Sequence, residues 1–174
     1  MLFLVNHSQI KSTGEESDPG HTQEGLKEMH SIKNTLEGFS ASWGSVMGPI
    51  THIVTSVAIQ RCLEIAKKMK LSFKDAPICD EKGLGGPGFK VLSEDPDYVR
   101  GIWPLMRKIG RMEPTDGHKI VCCRRQVPIS LFKAHELEKK REDIPGGSIY
   151  MVDPGKERVW LILPGAAGFY DPAL

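Results

Sequence analysis

Short apolar runs, each separated from the next by an amphipathic stretch, constrain the fold of this chain more than any other feature. Leu2-Phe-Leu-Val-Asn6, His52-Ile-Val-Thr-Ser56 and Lys119-Ile-Val-Cys-Cys123 are each about the length of one strand. They are apolar at successive rather than alternate positions, as strands covered on both faces are. Between them lie stretches with helical periodicity. Residues 22–39 place Met29, Ile32, Leu36 and Phe39 at steps of three and four, with Thr22 as N-cap and Glu24 in the first turn. Residues 57–70 carry an apolar stripe of Ile59, Cys62, Leu63 and Ala66. Residues 96–109 carry Val99, Ile102, Trp103, Met106 and Ile109, with Pro104 inside the pattern, and a further helix starts near Pro128 and runs to about Arg141. Ser148 to Val152 and Arg158 to Leu163 flank Asp153-Pro-Gly155 as a hairpin. Residues 11–20, 40–50 and 80–97 read as loops, and 164–174 as an irregular tail. This order predicts an α/β fold. It is a three-layer α/β/α sandwich with a mostly parallel central sheet, helices on both faces and a C-terminal hairpin, in one domain spanning 1–174.

Composition narrows the function classes. The 174 residues are 40% hydrophobic and 26% charged, an ordinary globular balance, and the formal net charge is +1. No global field favours nucleic acid or an anionic membrane. The basic clusters Lys67-Lys68 and Lys139-Lys140-Arg141 fall on helical faces that carry both signs, and no apolar run is long enough to cross a bilayer. The apolar start lacks a basic leader and is too short for a signal peptide, so a cytoplasmic protein is expected. Cys62, Cys79, Cys122 and Cys123 contain no CxxC spacing, and neighbours on a strand point to opposite faces. Free thiols are expected, rather than a thiol or metal protein built on Cys122 and Cys123. No pair of histidines has metal-ligand spacing, and no cofactor is implied.

His7 is the residue that points to chemistry. It directly follows the first apolar run, and the carboxyl ends of strands in open α/β sheets are where ligands sit. Six segments then resemble, in order, the histidine phosphatase (phosphoglycerate mutase-like) superfamily. Leu4-Val-Asn-His-Ser-Gln9 resembles its Leu-Val-Arg-His-Gly-Gln opening, and Asp18-Pro-Gly-His-Thr-Gln-Glu-Gly25 its entry to the first helix. Thr55-Ser-Val-Ala-Ile-Gln-Arg61 is similar to Ser-Ser-Pro-Leu-x-Arg-Ala, and Cys79-Asp-Glu-Lys-Gly-Leu-Gly-Gly86 to the loop that carries the mutase-branch acid. Ile120-Val-Cys-Cys-Arg124 resembles the strand leading to the second histidine, and Gly147 through Trp160 the closing hairpin.

The resemblance implies a site with a histidine nucleophile, two arginines and a second histidine on the phosphoryl oxygens, and a carboxylic acid for the leaving oxygen. His7 matches the nucleophile and Glu81 the acid. Asn6 stands at the first arginine, Gln60 at the second with Arg61 beside it, and Arg124 at the second histidine with Arg125 beside it. Ser8 replaces a glycine. Asn6, Ser8, Gln60, Arg61 and Arg124 are therefore the candidate phosphate-binding residues. Asn6 and Gln60 donate hydrogen bonds but carry no charge, whereas a phosphoryl group suits bidentate guanidinium. A shift of one residue turns a helix by about 100°, so Arg61 is expected to point away from the site. Arg61, Arg125 and His118 are expected at the surface, His21 in a solvated loop, and His30, His52 and His135 on a helix surface or strand edge.

These departures imply a degenerate member: a pseudo-phosphatase that binds a phosphorylated small molecule or small anion with little or no turnover. A protein partner fits the same reading. The competing expectation is an active phosphomonoesterase or phosphohydrolase working through phosphohistidine at His7 with a rearranged clamp.

Overall fold

The computed structural model describes residues 1–6, 23–85, 92–137, 139, 144 and 146–163. Its sheet contains β1 (Leu2–Asn6), β2 (Ile50–Thr55), β3 (Ile78–Asp80), β4 (His118–Cys123), β5 (Ile149–Asp153) and β6 (Arg158–Leu163), in the order β3-β2-β4-β1-β5-β6. The first four strands in that order run parallel, while β5 is antiparallel to β1 and β6 to β5. The helices are α1 (Gln23–Met47), α2 (Gln60–Lys70), α3 (Pro96–Gly110) and α4 (Gln126–Lys133). The predicted mostly parallel sheet and terminal hairpin are both present.

Alternation along the strands divides the core into two layers. Leu2, Leu4, Val54, Val121 and Cys123 pack with Ile102, Trp103 and Met106 of α3 and Val127, Leu131 and Phe132 of α4. Phe3, Val5, Ile53, Ile120 and Cys122 pack on the other face with Met29, Ile32 and Leu36 of α1 and Ile65, Ala66 and Met69 of α2. Each fully buried large apolar side chain contributes about 1.5–3 kcal/mol. This is why β1, buried at every position, has no room for a polar alternation.

Several boundaries differ from the sequence expectation. Helix α1 continues to Met47, through most of the stretch read as a loop, because glycine inside a helix costs only about 1 kcal/mol when tertiary packing supports the remainder. Its turn into β2 comes at Gly48, where φ is +91° and a Cβ would lie 2.5 Å from the Asp116 carbonyl oxygen. Strand β3 has only three residues, too few to show a pattern. Helix α4 starts at Gln126 and ends at Lys133, well before Arg141; the chain leaves it through a turn in which Glu136 has φ +60°. Pro128 still falls in the first helical turn, where no N–H is needed. Helix α3 runs through Pro104. The loop at 11–20, the Thr22 cap and the tail at 164–174 lie outside the described residues.

His118 and His52 are buried rather than at the surface. Both lie near the amino ends of their strands, where His118 packs edge-on against Phe3. Lys119 is buried beside His118, its amine donating to the carbonyl oxygens of Pro114 (2.8 Å) and Gly117 (3.4 Å). His30 and His135 are exposed, and His135 stacks edge-on against Trp103.

Candidate functional site

The parallel register lines up four strand ends on one edge of the sheet. Asn6 of β1 faces Cys123 of β4, while Thr55 of β2 faces Cys122 on one side and Asp80 of β3 on the other. The edge divides between β1 and β4. Strand β1 leads on to α1 on one face of the sheet, and β4 leads to α4 on the opposite face. Adjacent parallel strands whose connections leave to opposite faces open a crevice between their carboxyl ends, the usual place for a ligand in such sheets. His7 and Ser8 follow Asn6 directly in the chain and lie outside the described residues, as does His21.

Arg124 directly follows β4 at this crevice and is buried. Its carbonyl oxygen accepts from the Val127 N–H, so the chain turns at once into α4. Arg125 is the half-buried N-cap residue of α4. On the neighbouring unit, β2 ends at Thr55, whose hydroxyl donates to the Cys122 carbonyl oxygen (3.0 Å) and ties β2 to β4. Ser56 is buried beneath the turn after β3: a Cβ on Gly85 would come within 2.7 Å of its hydroxyl oxygen and force that side chain to shift.

Arg61 is buried, not at the surface as expected. It is buried with Cys62, Ile65, Ala66 and Met69 on the inward face of α2, one turn above Ile65. Gln60 faces outward, is exposed, and its amide donates to Glu64 Oε1 (3.2 Å). The first helical residue is Gln60, after an extended Ile59, and this phase sets the inward side one residue later than the motif suggests.

Charges of both signs meet at the edge: Asp80 accepts from the Val57 N–H (3.1 Å) just before α2 and Glu81 follows β3, while arginines lie at the starts of two helices. Helices α2 and α4 both start there, and neither has an acidic residue in its first turn or a side-chain cap. An arginine lies in or just before each start, where the helix dipole disfavours a cation by about 0.3–1 kcal/mol. Helix α3 follows the ordinary rule, with Asp95 accepting from the N–H groups of Asp97 and Tyr98. The two arginines and the two helix starts each bring positive charge to this edge.

Asn6 is fully buried and committed within the fold. Its amide donates to the Ser148 hydroxyl (2.6 Å), its backbone N–H donates to the Ser148 carbonyl (3.1 Å), and the Cys123 thiol lies 4.0 Å from its side-chain oxygen. Glu81 follows β3 and is held by its backbone N–H donating to the Thr55 carbonyl (2.8 Å). One carboxylate oxygen accepts from the Gly83 N–H (3.1 Å), and the other pairs with Lys108 of α3 (2.7 Å). Serving a leaving group as an acid would require Lys108 to withdraw.

Tyr98 was not among the sequence candidates. It lies in the first turn of α3, its ring against the core that contains Cys123, and its hydroxyl oxygen is buried. Burial raises its pKa strongly, as does the Cys123 thiol, while the Arg124 charge opposes the shift. Cys122 and Cys123 are also driven well above the ordinary thiol value, chiefly by burial. All four cysteines are free thiols. Among the described residues no cluster of three or more His, Cys, Asp or Glu side chains could hold a metal ion, and no helix is long and apolar enough to cross a membrane.

No protein-family model and no curated protein matches the sequence. Solved structures do share the fold. Bacillus stearothermophilus YhfR aligns with a TM-score of 0.60 at 16% identity, covering 93% of this chain and 95% of that one. Mycobacterial glucosyl-3-phosphoglycerate phosphatase aligns at 0.57 and 13% identity, over 93% and 96%. Phosphoglycerate mutase from Plasmodium falciparum aligns at 0.55 and 17% identity, over 92% and 87%. The architecture is therefore that of the histidine phosphatase, or phosphoglycerate mutase-like, fold, as the ordered motifs imply. Fold alone does not carry activity.

Proposed function

We propose that this chain binds the phosphate group of a small phosphorylated molecule, or a small anion, at the carboxyl edge of the sheet and turns it over little or not at all. The observation that carries this reading is the burial of two arginines on neighbouring β–α units, Arg61 in the first turn of α2 and Arg124 directly after β4. Two guanidinium groups supply the charge and the forked donors that a phosphate needs. Weak or absent turnover follows from Asn6 and Glu81. Asn6 brings no charge and spends its amide on Ser148, and Glu81 is engaged by Lys108 and Gly83. Losing one preorganised donor of an anion site typically costs on the order of 10²–10³ in rate. A protein partner is compatible with this role, and free thiols support a cytoplasmic setting.

The inward placement of Arg61 favours a second reading. With Arg61 in place of the clamp arginine expected at Gln60, the site is that of a phosphomonoesterase or phosphohydrolase in which His7 attacks phosphorus and Ser8 lies beside it. A phosphomonoester panel on wild type and His7→Ala, run beside phosphate and vanadate titrations, separates the two. Saturable binding without turnover supports the first reading. Robust turnover abolished by His7→Ala refutes it and supports the second.

A further inference from the structure

We propose that the Tyr98 hydroxyl is a donor of the anion site, placed beside Arg124 to give one hydrogen bond to a bound phosphate oxygen. The inference rests on the phosphate-binding reading and adds a residue to it.

Ser93, just before α3, is fastened to both ends of α4. The backbone N–H and hydroxyl of Ser93, five residues before Tyr98, both donate to Gln126 Oε1 (3.3 and 2.6 Å), and Lys133 donates to the Ser93 carbonyl oxygen (2.9 Å). Gln126 is two residues beyond Arg124, so these bonds bring the first turn of α3 to the strand end that carries Arg124. The Tyr98 ring packs against the core layer containing Cys123, the residue before Arg124.

The hydroxyl oxygen at this place is shielded from solvent and has no hydrogen-bond partner among the described residues. The other described tyrosine in this layer behaves differently: the Tyr150 hydroxyl bonds the Ser148 side chain. A buried hydroxyl with no partner destabilises a fold, and phenylalanine would fill the same volume without that penalty. A bound oxyanion would supply the missing acceptor. Because burial holds the phenol well above its ordinary range, the group remains protonated and is a donor at any physiological pH.

The test is calorimetric titration of the full chain with inorganic phosphate, for wild type and Tyr98→Phe, with melting temperatures measured in phosphate-free buffer. The expected result is a roughly tenfold rise in phosphate Kd for Tyr98→Phe, the loss typical of a hydrogen bond to a charged group. Its melting temperature without phosphate stays at or above the wild-type value. Equal Kd values in the two proteins overturn the proposal and leave the phosphate-binding reading standing. A phosphate-free Tyr98→Phe protein that melts several degrees lower shows that the hydroxyl is bonded within the fold, which also overturns the proposal. Absence of saturable phosphate binding in wild type overturns both.

Discussion

The Ser148 hydroxyl offers the sharpest test of how Asn6 is held within the fold. It accepts from the Asn6 amide at 2.6 Å across the β1–β5 pair and also bonds the Tyr150 hydroxyl, and Asn6 and Ser148 are completely buried. Ser148→Ala removes one oxygen and creates almost no cavity, so its effect comes from the partners left behind. Each buried polar group that loses its partner costs about 1–3 kcal/mol. With two such groups the variant should lose roughly 2–6 kcal/mol. For a chain of this size, each kcal/mol lowers the melting temperature by about 2–4 °C, so a fall of roughly 4–24 °C is expected. Urea unfolding of wild type, Ser148→Ala, Asn6→Leu and the double variant closes the cycle. The two single losses should be non-additive by about 0.5–3 kcal/mol, because the double variant no longer buries an unpaired Asn6 amide. A loss below about 0.5 kcal/mol for Ser148→Ala, or strict additivity, would refute the argument that this bond holds Asn6 in the fold.

Four further outcomes follow from the same geometry. Arg61→Ala and Arg124→Ala should each weaken phosphate binding at least about tenfold, with a shallower salt dependence, while Gln60→Ala leaves the calorimetric Kd unchanged. Lys108→Ala removes an exposed partner of Glu81 and should change the unfolding midpoint by the equivalent of less than about 1 kcal/mol. In the folded protein an aromatic disulfide reagent should modify part-exposed Cys79 first. Cys62, Cys122 and Cys123 are buried, and should react only after unfolding. Burial, and secondarily the Lys119 charge, lowers the His52 pKa below its ordinary 6.5, so the unfolded chain takes up a proton that the folded chain refuses. Stability should therefore fall as pH drops through about 6.5, and His52→Gln should flatten denaturation midpoints measured between pH 7.5 and 5.5.

The layers of this fold are legible in the sequence because they depend on local chemistry. Short continuous apolar runs at Leu2–Val5 and Ile120–Cys123 have the length and pattern of strands covered on both faces, and Ile102, Trp103, Met106 and Ile109 mark one buried side of a helix. The mostly parallel sheet and the C-terminal hairpin follow from the alternation of elements and from the Asp153 turn, in which the carboxylate accepts from the N–H groups of Gly155 and Lys156. Placement of the strand ends at one edge was legible too, since parallel connections require it.

The identity of the inward groups at that edge was decided only by tertiary structure. A helix turns about 100° per residue, so the phase of α2, set where the chain leaves Ser56, exchanges Gln60 for Arg61, and no local pattern fixes that phase to within one residue. The three residues of β3 are too few to leave a periodic pattern in the sequence. The state of Asn6 is set by Ser148, 142 residues away, that of Glu81 by Lys108 of α3, and the lack of a partner for the Tyr98 hydroxyl among the described residues by everything packed around it. Periodicity records which face of an element is apolar, because that depends on neighbours three or four positions along the chain. Whether a polar group at the rim is partnered depends on neighbours brought there only when the sheet closes.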